Sequence, residues 1–375
     1  MNNQEDSTNQ PSSNLSRRNF IHTAGAGSAA TLLLGTLSAN AQQADEKAQP
    51  IRWGFVGTGS IANSTARALK NSPNAELAAS SSRTLKKAED FAAKYGAGKA
   101  FGSWAEMCKW DGIDAIYIAT PTSVKEEITI AAAQAGKHVL CEKPLPSLPA
   151  TKRMLAACRE NKVAFMDGTH FSHHPRSIQI ENQLDTLAGK RRTLDSIFQF
   201  NISNKTNIRM IPELEPMGAI GDAGWYNMRA IVDYINPNTE LKAVSAFIRR
   251  DPETKAAIAG TGILSFKDGS SSTFSCAFDA GSSTSEVRIV GDQGNIDIPG
   301  FITHNGDNSG SYTHSRRKKP TETIKVEAPR PDAAILFENF SAIVHDPSLR
   351  KKWETKSERT QELLDAVWAS ALANE

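Results

Sequence analysis

The amino-acid sequence predicts an α/β fold built on a doubly wound parallel sheet, and three observations carry that prediction. A short apolar run, Ile51 to Val56, breaks into Gly57-Thr58-Gly59-Ser60 and resumes as Ile61, Ala62, Ala66 and Leu69 at helical spacing, giving strand, glycine turn and helix in succession. Strand-like and helix-like patterns then alternate for about a hundred residues, as a parallel sheet with crossover helices requires. The later strand-like runs end in polar turns, at the edge where open α/β sheets bind their ligands.

The glycine turn suits a dinucleotide pyrophosphate. Gly57 permits the tight turn, Gly59 removes a Cβ from the path of the phosphates, and Ala62 lets the helix pack close to its strand. The helix N-terminus then faces negative charge. Gly57, Thr58, Gly59, Ser60 and Ile61 are therefore candidate cofactor-binding residues. A second strand, Glu76 to Ser80, leads to a helix from Thr84 to Tyr95. An NAD-preferring fold carries an acid at the end of this strand to hold the ribose 2′-hydroxyl. Here the chain reads Ser80-Ser81-Ser82-Arg83, and the hydroxyl of Ser82 with the fixed cation of Arg83 suits a 2′-phosphate, so NADP is expected, with NAD the alternative.

The third strand, Asp114 to Ala119, ends in Thr120-Pro121, which join the cofactor-binding candidates. The fourth, Lys137 to Cys141, ends in Glu142-Lys143-Pro144. Both ends lie at the ligand edge, which places Glu142 and Lys143 near a bound nicotinamide.

Before this region, residues 1–41 read as a twin-arginine signal peptide: a polar start, Ser16-Arg17-Arg18-Asn19-Phe20-Ile21, an apolar run from Ala24 to Leu37, then Ser38-Ala39-Asn40-Ala41. The apolar run is shorter than the roughly 20 residues that a membrane span needs. The expectation is export by the twin-arginine machinery to the periplasm, with residues 42–50 as a linker or arm. A net charge of +2 gives no push toward nucleic acid or a membrane surface, so a small-molecule site is expected. The basic run Arg316 to Lys319 reads as a solvated loop, and Cys108, Cys141, Cys158 and Cys276 as isolated buried thiols.

In this order and spacing, Gly57-Thr58-Gly59-Ser60-Ile61-Ala62, Ala119-Thr120-Pro121 and Glu142-Lys143-Pro144 resemble the Gfo/Idh/MocA family, that of glucose–fructose oxidoreductase, inositol dehydrogenase and rhizopine catabolism proteins. Val163 to Arg176 and Met217 to Asn227 are most similar to its dihydrodiol and D-xylose dehydrogenase branch. The resemblance implies a Rossmann domain over residues 51–170. It further implies an α+β domain over 171–375 with an open, mostly antiparallel sheet, commonly covered by another subunit in a homodimer or homotetramer. The strand-like runs from Leu194 to Ile202, Leu241 to Ile248, Ala257 to Phe266, Ser271 to Asp279 and Ser285 to Val290 agree. Helices over Ala333 to His345 and Ser357 to Ala373 are expected to pack back on the first domain.

Asp222 and Tyr226, spaced i, i+4, project from one face of a helix. The resemblance implies that Tyr226 is the acid/base, that Lys143 lowers its pKa, and that Asp222 binds a sugar hydroxyl. His174 and Arg176 are further candidates for substrate binding. His170, His173 and His174 read as a loop lining the cleft, with no metal assigned, and Lys125 as a solvated helix residue, the alternative being a second cation that borders the site and tightens binding of the cofactor phosphate. The implied activity is hydride transfer between NADP and a sugar or polyol. A glycoside hydrolase that oxidises its sugar transiently, or a non-catalytic sugar-binding protein, are the alternatives; no residues match the motifs of the first, and Lys143 with Tyr226 argue against the second.

Overall fold

The computed structural model describes residues 49–235, 239–302 and 307–375. The signal peptide expected over residues 1–41, and all but the end of the linker, lie outside the described residues. Six parallel strands, β1 (Ile51–Val56), β2 (Ala75–Ser81), β3 (Lys99–Phe101), β4 (Ala115–Ile118), β5 (His138–Cys141) and β6 (Phe165–Asp167), stand in the order β3-β2-β1-β4-β5-β6. Helices α1 (Ser60–Leu69), α2 (Leu85–Tyr95), α3 (Trp104–Cys108), α4 (Lys125–Gln134) and α5 (Leu148–Glu160) connect them. The order reverses between β1 and β4, which makes the crevice at their carboxyl ends the ligand position of such a sheet. The central strands carry apolar side chains on both faces, Phe55, Ile116, Tyr117, Ile118, Val139 and Leu140 among them, because helices cover both sides.

The second sheet has eight strands: β7 (Arg191–Asn201), β8 (Leu241–Arg250), β9 (Ala257–Phe266), β10 (Ser271–Ala277), β11 (Asp279–Gly291), β12 (Asn295–Pro299), β13 (Gly310–Ser315) and β14 (Glu322–Val326). Their order is β14-β13-β12-β11-β7-β10-β9-β8. Only the β7–β10 pair is parallel, as the mostly antiparallel expectation required. Strands β12, β13 and β14 went unanticipated, since each is short and set in Gly-, Ser- and Lys-rich sequence. The run Arg316 to Lys319 is the turn between β13 and β14. All four cysteines are free and buried.

Two helices follow the last parallel strand in sequence, α6 (Pro175–Leu187) and α7 (Gly218–Tyr234). Helix α7 lies against β7, β9 and β10, where Asn227 Nδ2 donates to Ser196 Oγ at 3.0 Å. The opposite face of the sheet carries exposed Phe247 and Ile263.

The last two helices, α8 (Asp332–His345) and α9 (Arg350–Ala373), return to the first sheet. Phe337 and Phe340 of α8 lie 4.8 and 4.9 Å, centroid to centroid, from Trp53 of β1, and share a core with Phe55 and Tyr117. Such aromatic pairs contribute about 0.5–1.5 kcal/mol beyond area burial. Helix α9 joins both halves. At this seam Asp167, at the end of β6, accepts from Arg229 Nη2 of α7 and from Ser357 Oγ of α9, both at 2.5 Å. Thr169 also donates to Asp167 and receives the Trp225 indole N–H at 2.7 Å. No described helix is long and apolar enough to cross a membrane.

Candidate active site

The carboxyl ends of the parallel strands align one turn after another. Gly57 N donates to Ser81 O, Ala119 N to Val56 O, Glu142 N to Ile118 O and Gly168 N to Cys141 O, each at 2.8–2.9 Å. This ladder brings the glycine turn, Thr120-Pro121 and Glu142-Lys143 onto one edge. Gly57 has φ +101°, and a Cβ there would stand 2.6 Å from the carbonyl oxygen of Ala119, so the turn admits only glycine. Gly59 differs. Its φ of −75° is open to any residue, and a Cβ would meet no protein atom. The space such a Cβ would fill lies at the start of α1, whose first turn has neither an acidic residue nor a side-chain cap. A helix start left free in this way fits a phosphate.

The polar groups around this cradle also fit a dinucleotide. Thr58 Oγ1 and Ser82 Oγ lie 3.2 Å apart, tying the glycine turn to the end of β2. Arg83 beside them is exposed and makes no ion pair among the described residues. Thr120 Oγ1 is buried without a hydrogen-bond partner. Ser60 and Ile61 open α1, and Pro121 starts the short turn Thr122–Val124.

Across the crevice, every residue of α7 is buried except Tyr226, which is half-buried and faces the cleft. Lys143 and Asp222 meet it there. Lys143 Nζ donates to Asp222 Oδ1 at 2.6 Å and lies over the Tyr226 ring, 4.7 Å from its centroid. Arg209, on the turn Ile208–Met210, reaches the other oxygen of Asp222 with Nε at 2.8 Å. Burial opposes the Asp222 charge, but Lys143 and Arg209 hold its carboxyl well below the usual range. Lys143 in turn, despite burial, is held above its ordinary range by Asp222.

The phenol departs from expectation. Burial pushes the Tyr226 hydroxyl up to about 12, and the nearby Lys143 ammonium offsets only part of that. The resemblance implied a lowered pKa; here the ammonium is committed to Asp222 and sits over the ring face. Asp222 is likewise engaged by two cations.

Glu142 stands behind Lys143, buried, and accepts from Tyr117 Oη at 2.5 Å. His170 Nε2 lies 3.5 Å from the same carboxylate. Burial disfavours the His170 cation, but contact with Glu142 holds the imidazole above its usual range.

Four sequence expectations, for Lys125, His174, Arg176 and His173, need correction. Lys125 is buried, not solvated: its Nζ donates to Pro144 O at 2.8 Å and to Thr122 Oγ1 at 3.3 Å, and burial lowers its pKa. It braces the peptide that carries Lys143. His174 is fully buried and does not line the cleft; its Nδ1 accepts from Arg176 N at 3.0 Å, capping α6, and its Nε2 meets Asn308 O at 2.8 Å. Arg176 is buried as well, and its guanidinium donates to the carbonyls of Pro299, Gly300, Phe301 and Ser311. Neither is placed to bind substrate, because both are buried, with His174 Nε2 and the Arg176 terminal nitrogens bonded to carbonyls around the second sheet. His173 stacks on Trp353, ring centroids 4.3 Å apart. Of the three histidines only His170 approaches the site.

Sequence reasoning missed Arg209 and Glu215. Glu215 accepts from Thr122 Oγ1 at 2.7 Å and Thr122 N at 3.1 Å, linking the Thr-Pro turn to the approach to α7. Both sit in a polar loop without periodicity, and their only signal was position, just upstream of the helix carrying Asp222 and Tyr226.

Residues 51–169 match the model of an oxidoreductase family with an NAD-binding Rossmann fold, GFO_IDH_MocA, and residues 186–297 match the GFO/IDH/MocA C-terminal domain. The chain belongs to the Gfo/Idh/MocA family. Within it, the chain is 27% identical over 327 residues to a dTDP-3,4-didehydro-2,6-dideoxy-alpha-D-glucose 3-reductase of Actinomadura kijaniata, covering 86% of this chain and 96% of that one. It is 27% identical to the NADP(+)-dependent scyllo-inositol 2-dehydrogenase IolU of Bacillus subtilis, over 81% of this chain and 92% of the relative. Among solved structures, a 3-ketoreductase from Actinomadura kijaniata in complex with NADP and TDP-benzene superposes with a TM-score of 0.79 at 25% identity, covering 86% of this chain and 98% of that one. An aldose-aldose oxidoreductase from Caulobacter crescentus shares the fold, with a TM-score of 0.79 at 20% identity over 87% of this chain and 99% of the other. The Gfo/Idh/MocA protein described here is an NAD(P)-dependent oxidoreductase acting on CH–OH groups.

Proposed function

We propose that this Gfo/Idh/MocA protein is an exported, NADP-dependent dehydrogenase or reductase of a sugar or polyol. The observation that carries the reading is the convergence of Lys143, Asp222 and Tyr226 on the strand edge that also holds the glycine turn. NADP is favoured by Ser82 and Arg83 at the end of β2, where no acid stands, and by the NADP named for two relatives. Sugars and polyols are favoured by what the relatives act on. Export rests on the twin-arginine order of residues 1–41. A homodimer or homotetramer would cover Phe247 and Ile263 on the open sheet face, and sedimentation of the purified protein tests that.

When bound, NADP supplies hydride acceptance or donation at nicotinamide C4. The chain's residues manage the rest. Gly57 to Ile61 would hold the pyrophosphate, Ser82 and Arg83 the 2′-phosphate, and Thr120 with Pro121 the wall beside the nicotinamide. Tyr226 exchanges the proton of the reacting hydroxyl, accepting it as the alcohol is oxidised and returning it as the carbonyl is reduced. Lys143 stabilises the phenolate form, and Asp222 with Arg209 fixes where Lys143 stands. Glu142 and Lys125 act further back, one behind Lys143 and the other under Pro144.

Because a soluble NADP pool is not expected outside the cytoplasm, the cofactor is proposed to travel bound and to be recycled by a second substrate. Absorbance of the purified protein at the nicotinamide band tests this; cofactor-free protein that consumes added NADP at each turnover would count against it. Replacing Tyr226 with Phe tests the site. Turnover is expected to fall by about 10²- to 10⁴-fold with NADP binding retained, and unchanged turnover would remove Tyr226 from the mechanism.

A further inference from the structure

Arg209 brings a charge that the proton transfer uses only through Asp222. Its backbone is fixed: Asn207 Oδ1 accepts from Arg209 N at 3.1 Å, Met210 beside it is buried, and Glu215 is tied to Thr122. Its Nε approaches Asp222 Oδ2 at 2.8 Å with the N–H off the axis of that oxygen. Its Nη1 and Nη2 donate to no group among the described residues.

Asp222 already pairs with Lys143, so two cations share one carboxylate beside Tyr226. Glu215 keeps its charge and also favours the Arg209 cation, but both of its oxygens accept from Thr122, so it does not occupy the Arg209 terminal nitrogens. The Arg209 side chain is 35% exposed, and of its nitrogens it is Nε, beside Asp222, that is buried, which leaves the terminal pair open to a ligand. A guanidinium presents paired N–H donors that match a carboxylate or phosphate, which a neutral hydroxyl does not use fully.

We propose that Arg209 binds an anionic group on the substrate, so that the preferred substrates are acidic sugars, carrying a carboxylate or a phosphate, rather than neutral ones. The inference rests on the sugar-dehydrogenase reading and narrows it. Arg209 would fix the charged end of the sugar while Tyr226 meets the reacting hydroxyl, and Asp222 between them would keep the two cations in register.

The test compares D-glucuronate, D-glucose 6-phosphate and D-glucose with the NADP-loaded enzyme, as wild type, Arg209→Gln and Arg209→Lys. At least one anionic sugar is expected to exceed glucose in kcat/KM, and Arg209→Gln is expected to cut that ratio by about 10- to 100-fold, with Arg209→Lys retaining part of it. Whichever anionic sugar leads tells carboxylate from phosphate. Both rates come from one preparation, so loss of folded enzyme cancels in the ratio. Glucose performing as well as the anions, or a ratio unmoved by Arg209→Gln, overturns the proposal; a raised KM for NADP with an unmoved ratio reassigns Arg209 to the cofactor. Thermal shifts by the same three sugars separate the two readings. An Arg209-dependent shift by an anionic sugar without any turnover keeps the anion site and removes sugar oxidation, whereas no such shift removes the anion site.

Discussion

The ammonium of Lys143 lies over the face of the Tyr226 ring, 4.7 Å from its centroid, while its hydrogen bond runs to Asp222 at 2.6 Å. The phenol is thereby left protonated, its pKa pushed up by burial to about 12. A protonated phenol is ready to give a proton to a carbonyl and must lose one before it can serve alcohol oxidation. The two directions of the reaction should therefore respond differently to pH. With Tyr226 needed as phenolate, kcat/KM for oxidation should rise about tenfold per unit between pH 6 and 9, whereas kcat/KM for reduction should stay level over the same range. Initial rates in both directions check this, and an oxidation rate independent of pH would exclude Tyr226 as the base.

The two glycines of the turn should respond oppositely to alanine. Gly57→Ala meets the Ala119 carbonyl at 2.6 Å in a left-handed backbone, so it is expected to destabilise the fold by about 1–3 kcal/mol. Gly59→Ala meets nothing in the protein and should leave the unfolding midpoint in place. Its cost should fall on the cofactor instead, weakening NADP binding about tenfold or more in a nicotinamide fluorescence titration.

Arg83 separates the two cofactors. Exposed and without an ion partner among the described residues, it is available to a 2′-phosphate, and Arg83→Ala should raise the KM for NADP by about 10- to 100-fold. The KM for NAD should change little, so the ratio of the two is the measurement.

Asp167 sets the acid stability of the seam between the two halves. Against the cost of burial, Arg229 and the hydroxyls of Ser357 and Thr169 hold its carboxyl below the usual range. A lowered folded pKa stabilises the protein above the ordinary carboxylate value of about 3.9, and that contribution is lost as pH falls through the folded value. Asp167→Asn, which leaves Arg229 buried and uncompensated, is expected to cost about 3–5 kcal/mol at pH 7. The gap between the urea midpoints of wild type and variant should close as pH is lowered from 5 toward 2.

What the sequence disclosed followed physical rules with a fixed spacing. The glycine turn, the strand ends at Thr120 and Lys143 and the Asp222–Tyr226 pair each follow from a period or a turn requirement, and the structure brings them to one edge. Arg209 and Glu215 have no such rule, because they reach the site from a loop whose path depends on tertiary contacts. Lys125, His174 and Arg176 misled for the same reason. Polarity predicts exposure on average, but each of these side chains is buried and bonds a backbone carbonyl distant in sequence, that of Pro144, Asn308 or Phe301 among them, which no local pattern records. Tyr226 was located correctly by its spacing, while its proton affinity depended on which atom Lys143 chose.

The aromatic seam of Trp53 with Phe337 and Phe340 also bears on how the protein is made. On the ribosome the six parallel strands emerge early, yet Phe337 and Phe340, which help close one face of their sheet, follow only after the whole second sheet. Until then Trp53, Phe55 and Tyr117 lack the phenylalanine rings of α8 that complete their core. A fragment stopped at residue 170 would hold every cofactor-binding candidate named from the sequence and lack the helix that seals β1 beneath them. The nucleotide half thus completes its own core only once α8 has been made.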